Sequence, residues 1–248
     1  MIKLSAVIIT HNEEKNIERC LLSAIRIADE VIVLDSFSSD QTVAICSKYP
    51  SVKLIQRKWE GYALSKNYAN SLTANEMILS LDADEELSDE LENEIRATSF
   101  ASDTVYHFKR LTNYCGKWIH YCGWYPDSKV RIFSKYNAFW EGNFVHEILV
   151  FKIDVKQVTF NGNLFHYSYY TISEHNQRIV KYANLHAQQM KANGKSFSVL
   201  KWLIGPVFKF FKTYFIQLGF LDGYYGLVIS LVSARYVFLK YSMLKQIS

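Results

Sequence analysis

The chain has 248 residues, of which 49% are hydrophobic and 21% charged, and its formal net charge is +4. This composition excludes a disordered chain, and only three prolines exclude long proline-rich linkers. The length fits one large α/β domain, or one domain with an appendage. The four cysteines form no C-x-x-C pair, so we expect reduced thiols in a cytoplasmic protein.

Strand and helix patterns alternate through the first 100 residues. Buried strands are predicted at residues 3–10, 30–35, 52–57 and 76–82, where apolar and β-branched residues run together. Helices are predicted behind Asn12, Ser38 or Ser39, and Ser88 as N-caps, and also over residues 61–72. Strands separated by helices of this length imply a parallel sheet with right-handed crossovers, which binds ligands beyond the carboxyl ends of its strands.

Polar side chains stand where three of these strands end: Thr10 to Asn12, Asp35 with Ser36, and Asp82 with Asp84. Neither G-x-G-x-x-G nor G-x-x-x-x-G-K-[ST] follows any of them, which excludes a dinucleotide fingerprint and a P-loop. Residues i and i+2 of an extended chain point the same way. Asp82 and Asp84 together can therefore hold a hard divalent cation that neutralises a diphosphate leaving group. The alternative is a solvated turn leading into the helix behind Ser88.

Shorter strand patterns follow at residues 104–111, 129–134 and 151–160 and indicate a mixed or antiparallel sheet. A long helix is then predicted, because Thr171 and Glu174 match a capping box and Asn193-Gly194 can end it. Three of the five tryptophans lie within a window of 23 residues: Trp118, Trp124 and Trp140. They are either stacking platforms for sugar rings or the core of the smaller sheet.

Residues 196–247 form an apolar, aromatic segment with a basic bias. From Lys195 onward the chain has seven Lys or Arg residues against one acid, Asp222, so this part carries +6 and residues 1–194 carry −2. Neither apolar run reaches about 20 residues without a charge, and the first is broken by Gly205-Pro206, so a spanning helix is not expected. Helices lying in a membrane interface explain the lysines among the aromatic residues. The alternative is a helical pair packed on the body of the protein or on a second copy.

Four stretches together resemble glycosyltransferase family 2 with the GT-A fold: SAVIITHNEEKNIERCLLSA, VIVLDSFSSDQT, WEGYALSKNYA and LSLDADEEL. The later blocks RLTNYCGKWIHYCGWYPDSKVRIFSK and WEGNFVHE resemble its lipopolysaccharide core-biosynthesis branch and are similar to inner-core β-glucosyltransferases. The resemblance implies an α/β fold of the nucleotide-diphospho-sugar transferase, Rossmann-like kind, a mixed sheet flanked by helices. We expect a GT-A domain over residues 1–194 and a C-terminal helical, membrane-associating extension over residues 195–248.

The resemblance also assigns roles to residues. Those that match the family's nucleotide and diphosphate contacts are Thr10, Asn12, Glu13, Asp35, Lys66, Asn67 and Asp82. Asp84 matches the direct ligand of a divalent cation, Mg²⁺ or Mn²⁺, and Asp82 and His166 are the other candidate ligands. Arg131 is a further candidate for binding phosphates, with an ordinary strand-surface arginine as the alternative.

An inverting transfer needs one base, which removes the proton of the acceptor hydroxyl while that oxygen attacks the anomeric carbon. Glu147, in the VHE stretch, stands where such enzymes carry this base, and Asp127 is the second candidate. His146 beside it is a candidate contact for acceptor phosphates. The processive signature Q-x-x-R-W is absent, since Gln177-Arg178 does not match it, so transfer of a single sugar is expected.

The expected function is transfer of one hexose from a nucleotide-sugar, UDP-linked, to a lipid-linked saccharide such as lipopolysaccharide inner core. The enzyme is expected to be cytoplasmic and peripheral on the inner face of the bacterial inner membrane. The alternatives are transfer to another cell-envelope glycan or to a peptide or protein side chain, and a non-catalytic nucleotide-sugar-binding protein. No nucleic-acid partner is expected, and the C-terminal helices offer a route to a homo-oligomer.

Overall fold

The computed structural model describes residues 3–142 and 147–247, and within them the chain forms eleven strands and seven α-helices. The strands are β1 (Leu4–Thr10), β2 (Glu30–Asp35), β3 (Val52–Gln56), β4 (Met77–Asp82), β5 (Glu85–Leu87), β6 (Thr104–Tyr114), β7 (Lys117–Ile119), β8 (Asp127–Ser134), β9 (Ala138–Glu141), β10 (Ile148–Phe151) and β11 (Lys156–Tyr169). The helices are α1 (Ile17–Ile25), α2 (Thr42–Cys46), α3 (Tyr62–Ser71), α4 (Asp89–Ala97), α5 (Ile172–Ala192), α6 (Val199–Phe211) and α7 (Gly223–Ile247).

The main sheet is mixed and has the strand order β3-β2-β1-β4-β8-β6-β11-β5, with β7 paired to β6. Strands β1 to β4 are parallel to one another, as the alternating sequence pattern predicts, and β8 joins β4 antiparallel. The register sets Thr10 opposite Asp35 and Ile9 opposite Asp82. The carboxyl ends of β1, β2 and β4 therefore meet at one edge of the sheet, where ligands bind in folds of this kind.

Helices cover both faces of the parallel strands, because alternate side chains of a strand point to opposite faces. Ile8 of β1 lies in one buried cluster with Leu21 of α1, whereas Val7 lies in another with Ala69 of α3. Each fully buried aliphatic side chain of this kind contributes about 1.5–3 kcal/mol. The two cores fix the strand ends that carry the polar residues.

Helices α4 and α5 begin where the sequence pattern predicts, because the side chains of their N-cap residues bond to their own helix. The Ser88 side chain accepts a hydrogen bond from the Leu91 amide, and Thr171 and Glu174 form the predicted capping box. Asn12 was expected to cap the first helix, but that expectation is wrong. Helix α1 begins only at Ile17, because the Asn12 side chain bonds to the next loop instead.

The packing divides the chain into two compact units. The first unit comprises Met1–Arg110 and Asp127–His166, and the second comprises Leu111–Pro126 and Tyr167–Ser248. Neither unit begins at residue 195, and the division of the chain there stays a prediction.

The second unit has its own core, in which Tyr114, Ile119, Cys122 and Ile229 are buried together. Helix α6 continues through Pro206, so the predicted break at Gly205-Pro206 is wrong. A π-helical turn (Lys212–Ile216) follows α6, and the chain reverses at Leu218, whose φ is 54°, before a 3₁₀ turn (Gly219–Asp222) leads into α7. The last helical stretch, Gly219–Ile247, is long and apolar enough to cross a membrane by length and composition alone, which the sequence had not led us to expect.

Candidate active site

Two loops at the carboxyl edge of the sheet are tied together. Asn12, in the loop after β1, has a φ of 56°, a conformation that asparagine tolerates better than most residues. Its backbone amide donates to Ser38 Oγ at 2.8 Å, and its side-chain oxygen accepts from the Ser39 amide at 2.8 Å. Glu13 adds a third tie, since its amide donates to Thr42 Oγ1 at 2.8 Å. The loops after β1 and β2 therefore form one rigid rim.

Asp35 and Thr10 lie beneath this rim. The Asp35 carboxylate is fully buried and accepts hydrogen bonds from Ser38 Oγ at 2.5 Å and from Gln56 Nε2 at 2.9 Å. The Thr10 hydroxyl is buried and has no hydrogen-bond partner among the residues that the structure describes. A buried hydroxyl without a partner is costly unless a ligand or water supplies one. The structure thus brings the predicted nucleotide residues Thr10, Asn12, Glu13 and Asp35 to one place.

Lys66 lies at the centre of the charged part of the site. Its side chain is buried, and its Nζ lies 3.0 Å from Asp82 Oδ1 and 3.1 Å from Glu147 Oε1. The same ammonium lies 4.5 Å from the centre of the Trp140 ring, which is a favourable cation–π distance. Three segments far apart in sequence therefore converge on one lysine.

Arg131 holds Asp82 from the other side. Its Nη2 donates to Asp82 Oδ2 at 2.7 Å and to Glu85 Oε1 at 2.5 Å. Burial acts to raise the pKa of Asp82, but Lys66 and Arg131 outweigh burial and hold that pKa far below its usual range. Burial likewise acts to lower the pKa of Arg131, whereas Glu85 and Asp82 raise it. Asp82 and Arg131 are therefore both charged, and Arg131 is buried rather than an ordinary surface arginine.

The ion pairs continue beyond Glu85. Arg110 Nη1 lies 3.5 Å from Glu85 Oε1, and Arg110 Nη2 lies 2.6 Å from Asp127 Oδ2. Lys129 Nζ lies 3.1 Å from the other Asp127 oxygen. Burial raises the pKa of Asp127, but Arg110 and Lys129 together lower it below its usual value. The network joins four carboxylates to four cations: Glu147, Asp82, Glu85 and Asp127 with Lys66, Arg131, Arg110 and Lys129.

Asp84 and Asp82 have different partners. Strand β4 ends at Asp82, the chain turns, and the Asp84 carboxylate lies 3.3 Å from His166 Nε2. His166 reaches this position because β11 pairs with β5, with His166 opposite Glu85. The sequence led us to expect both carboxylates around one cation, but the structure gives Asp82 two cationic side chains instead. Within residues 3–142 and 147–247, no group of three or more His, Cys, Asp or Glu side chains is arranged to hold a metal ion.

Asp84 and His166 nevertheless fit a divalent cation that is shared with substrate. Mg²⁺ is commonly bound through one or two carboxylates, with phosphate oxygens and water completing its coordination. A carboxylate oxygen and an imidazole nitrogen also suit Mn²⁺. The donor set therefore suits a cation that arrives with a diphosphate, rather than a closed structural site.

Asn67 clamps the backbone of Trp140. Its amide nitrogen donates to the Trp140 carbonyl at 2.8 Å, and its amide oxygen accepts from the Trp140 N–H at 2.9 Å. Trp140 belongs to β9, which pairs with β10, and Glu147 directly precedes β10. Asn67 thus anchors the hairpin that carries Glu147, a contact that the sequence did not indicate. His146 lies outside the described residues.

The aromatic residues divide between core and surface. Trp140 is buried against Phe133 in a core of the first unit. In the second unit, Trp124 packs on the core around Tyr114, and Trp118 contacts Tyr167 edge to face. Trp124 and Trp140 therefore belong to hydrophobic cores.

Glu85 and Arg110 are site residues that we did not single out from the sequence. Glu85 stood among four acids in the stretch DADEE, and the sequence gave no reason to separate it from Glu86. Its signal is its place as the first residue of β5, beside a turn. Arg110 carries no local signal, because its role depends on Asp127, which is 17 residues away.

A family model described as glycosyl transferase family 2 matches residues 5–142, more than half of the chain. The chain belongs to glycosyltransferase family 2. It is therefore a glycosyltransferase, and the mixed sheet flanked by helices is the expected GT-A fold.

The relatives agree with this assignment. An uncharacterized glycosyltransferase of Rickettsia typhi is 34% identical over all of this chain and 88% of its own length. The lipopolysaccharide core biosynthesis glycosyltransferase LpsC of Rhizobium meliloti is 26% identical over 95% of this chain and 89% of its own. A solved structure, the glucosyl-3-phosphoglycerate synthase of Mycobacterium tuberculosis with Mn²⁺, UDP and phosphoglyceric acid, has a TM-score of only 0.36 at 19% identity, covering 45% of this chain and 44% of that one.

Proposed function

We propose that this family-2 glycosyltransferase is an inverting enzyme that transfers a single hexose from a nucleotide-sugar, UDP-linked, to a lipid-linked saccharide such as lipopolysaccharide inner core. The reaction takes place at the cytoplasmic face of the inner membrane. The LPS-type acceptor is supported by the relative LpsC, a lipopolysaccharide core biosynthesis glycosyltransferase, which matches nearly the whole chain.

One observation carries the proposal: the buried ammonium of Lys66 contacts both Asp82 and Glu147. These residues come from a helix, from the end of a strand and from the position before the second strand of a hairpin. They are a predicted diphosphate contact, the first aspartate of the D-x-D motif Asp82-Ala83-Asp84 and the predicted base. Such convergence of charge in a site is typical of a reaction centre.

The donor nucleotide lies at the rim that joins the loops after β1 and β2. Asn12 and Glu13 hold this rim in place, and the unpartnered Thr10 hydroxyl offers a buried hydrogen-bonding atom to the ligand. Asp35 is already bonded to Ser38 and Gln56, so it recognises base or ribose only by exchanging one of these partners. A preformed rim lowers the ordering cost of binding.

The leaving diphosphate meets positive charge from this chain. Lys66 and Arg131 are buried cations that are already oriented toward the carboxyl end of β4, so they need little reorganisation as negative charge develops. Asp84 and His166 would hold a divalent cation. When bound, such a cation would neutralise charge on the diphosphate.

Glu147 is the base in this proposal. As the acceptor oxygen bonds to the anomeric carbon, its proton passes to a Glu147 carboxylate oxygen and the bond from that carbon to the diphosphate breaks. Asp127 is the weaker candidate, because Arg110 and Lys129 hold its pKa below the usual value and a carboxylate with a low pKa is a poor proton acceptor. Lys66 positions Glu147 by direct contact. Asn67 positions it indirectly, by holding the β9–β10 hairpin.

The test replaces each carboxylate by its amide. Glu147→Gln should lower the rate of sugar transfer by roughly 10²–10⁴-fold, the usual contribution of a general base, while donor still raises the melting temperature. Asp127→Asn is the matched control and should retain most of the turnover. Full turnover by Glu147→Gln, measured as nucleoside diphosphate released with a lipopolysaccharide acceptor, would reassign the base.

A further inference from the structure

Helix α6 presents an apolar stripe that the second unit does not cover. No residue of α6 is buried. Six large apolar side chains at spacings of three and four residues are each more than half exposed: Leu200, Leu203, Ile204, Val207, Phe208 and Phe211. Residues at this spacing share one face of a helix. An amphipathic helix normally buries such a face, so this stripe needs a partner outside the unit.

The stripe continues into the turns that follow α6. Exposed large apolar side chains persist up to the start of α7: Phe215, Ile216, Leu218, Phe220, Leu221 and Tyr224. We call the twelve side chains together the apolar face. An exposed apolar face of this extent marks a site of interaction with a protein or a membrane.

The segment that carries the apolar face also contains three lysines, Lys201, Lys209 and Lys212. Lys201 and Lys212 are exposed, and Lys209 and Lys240 are partly buried. Burial and the ammonium of Lys212 lower the pKa of Lys209, which shows that positive groups crowd together here. The single acid of this segment, Asp222, is buried and accepts hydrogen bonds from the backbone of His120 and Tyr121. The segment thus combines an exposed apolar surface with lysines whose positive charge its single acid does not neutralise.

We propose that α6 and the turns after it lie flat in the interface of an anionic lipid bilayer. The apolar face points toward the acyl chains, and the lysines lie at the level of the lipid phosphates. Buried apolar area and about 1 kcal/mol per lysine near an anionic surface are the two sources of binding for such helices. This inference concerns where the chain is held, and it does not depend on the reaction proposed above.

Helix α7 does not cross the bilayer in this arrangement, although its length and composition would allow it. It is bonded along α5 through three contacts: Arg235 with Asn176, Tyr236 with His186, and the Ile247 carbonyl with Lys191. Helix α5 is rich in charged and amide side chains, which are costly in hydrocarbon. A helix bonded to α5 cannot enter the acyl region without taking α5 with it, so the segment lies on the membrane.

A lipid surface fits the apolar face better than a second copy of the chain does. Protein–protein interfaces are depleted in lysine, and pairing two such faces would bring like charges together. Anionic lipid headgroups supply the opposite charge instead. Tyr224, an aromatic member of the face, is of the kind that favours the water–lipid boundary.

The experiment measures flotation of the full chain with vesicles of phosphatidylcholine alone or with 30% phosphatidylglycerol, a composition of roughly physiological surface charge. The wild-type chain should bind the anionic vesicles, and more weakly as salt rises. Leu203→Ser with Phe208→Ser should weaken binding at least tenfold on both vesicle types. Lys201→Gln with Lys212→Gln should weaken it about 30-fold, on anionic vesicles only. Val180→Ser with Tyr182→Ser, two exposed residues of α5, is the matched control and should bind like wild type.

Three results would overturn the inference: no binding of the wild-type chain to anionic vesicles, equal binding by all variants, or a dimer that the Leu203/Phe208 pair abolishes without any vesicle binding. Circular dichroism establishes that each variant is folded. Thermal stabilisation by the donor is measured in parallel. If the Leu203/Phe208 variant loses vesicle binding and still binds donor, the apolar face holds the chain on the membrane independently of the donor site.

Discussion

Glu85 is the carboxylate on which two arginines converge. Its side chain is fully buried, and Oε1 contacts Arg131 at 2.5 Å and Arg110 at 3.5 Å. Its other oxygen accepts from the Asp82 amide at 3.1 Å. Because water does not reach this carboxylate, its ion pairs cannot be exchanged for contacts with solvent. Glu85 therefore fixes Arg131 and, through Arg131, the carboxylate of Asp82.

Glu85→Gln should destabilise the fold by about 3 kcal/mol, the lower end of the range for breaking a buried ion pair, because the amide keeps the size of the side chain but not its charge. Glu90→Gln, at an exposed position of α4, is the control and should stay within about 0.5 kcal/mol of wild type. The measurement is the midpoint of urea unfolding. Equal midpoints for the two variants would mean that the network does not stabilise the fold.

At the scale of single residues, the sequence could not show which partner each side chain contacts. The pattern placed Asp82 and Asp84 at the end of a strand, and the structure agrees. Which cation each carboxylate meets depends on β8 and β11, whose residues Arg131 and His166 lie 49 and 82 positions away from their partners. Contacts over such separations are set by the sheet order, and local periodicity does not reveal it.

Helix α5 is seated in the second unit through His175. This residue is buried, its Nδ1 lies 2.9 Å from the Tyr114 hydroxyl, and its ring packs on Tyr169 and Trp124. Burial, with a smaller contribution from Arg178, lowers the pKa of His175 to about 4. The imidazole is therefore neutral in the folded chain at pH values where an unfolded chain binds a proton.

The sign of the pH dependence follows from this lowered pKa. Between the unfolded pKa of about 6.5 and the folded value, the unfolded chain binds more protons, so stability rises with pH and is lost as pH falls. From pH 7 to pH 5 the loss due to His175 should be about 2 kcal/mol. His175→Gln should remove that part of the slope in urea unfolding at the two pH values. An unchanged slope would mean that His175 does not carry it, and His11→Gln, at an exposed position, serves as the control.

Elements with local signals were predictable, and elements that depend on distant contacts were not. The parallel strands and the capped helices α4 and α5 follow from runs of apolar residues and from cap residues that act on their own helix. Helix α2 is shorter than predicted because Ser38 bonds to Asp35 and Asn12 instead of capping it. The strand predicted at residues 151–160 is interrupted at residues 152–155, so β10 and β11 are separate strands.

At the scale of the molecule, the proposed reaction assigns binding of the donor to the rim and the charged network together. The sequence resemblance indicated the family and the fold, but it could not show that the two D-x-D carboxylates contact different side chains. Asp82 is held by Lys66 and Arg131, and Asp84 lies beside His166. Binding of donor and binding of metal should therefore depend on different carboxylates.

The corresponding prediction separates the two by thermal unfolding. UDP-sugars at 100 times their dissociation constant should stabilise the chain by about 2.7 kcal/mol, or roughly 5–10 °C for a chain of this size, and Mn²⁺ should account for part of that shift. Asp84→Ala should lose the part that Mn²⁺ adds and keep the part due to donor alone, and chelator should have the same effect on wild type. Asp154→Ala, an exposed aspartate, should keep both parts. A full Mn²⁺ effect in Asp84→Ala would place the cation elsewhere, whereas the absence of any donor effect in wild type would reject the nucleotide-sugar itself.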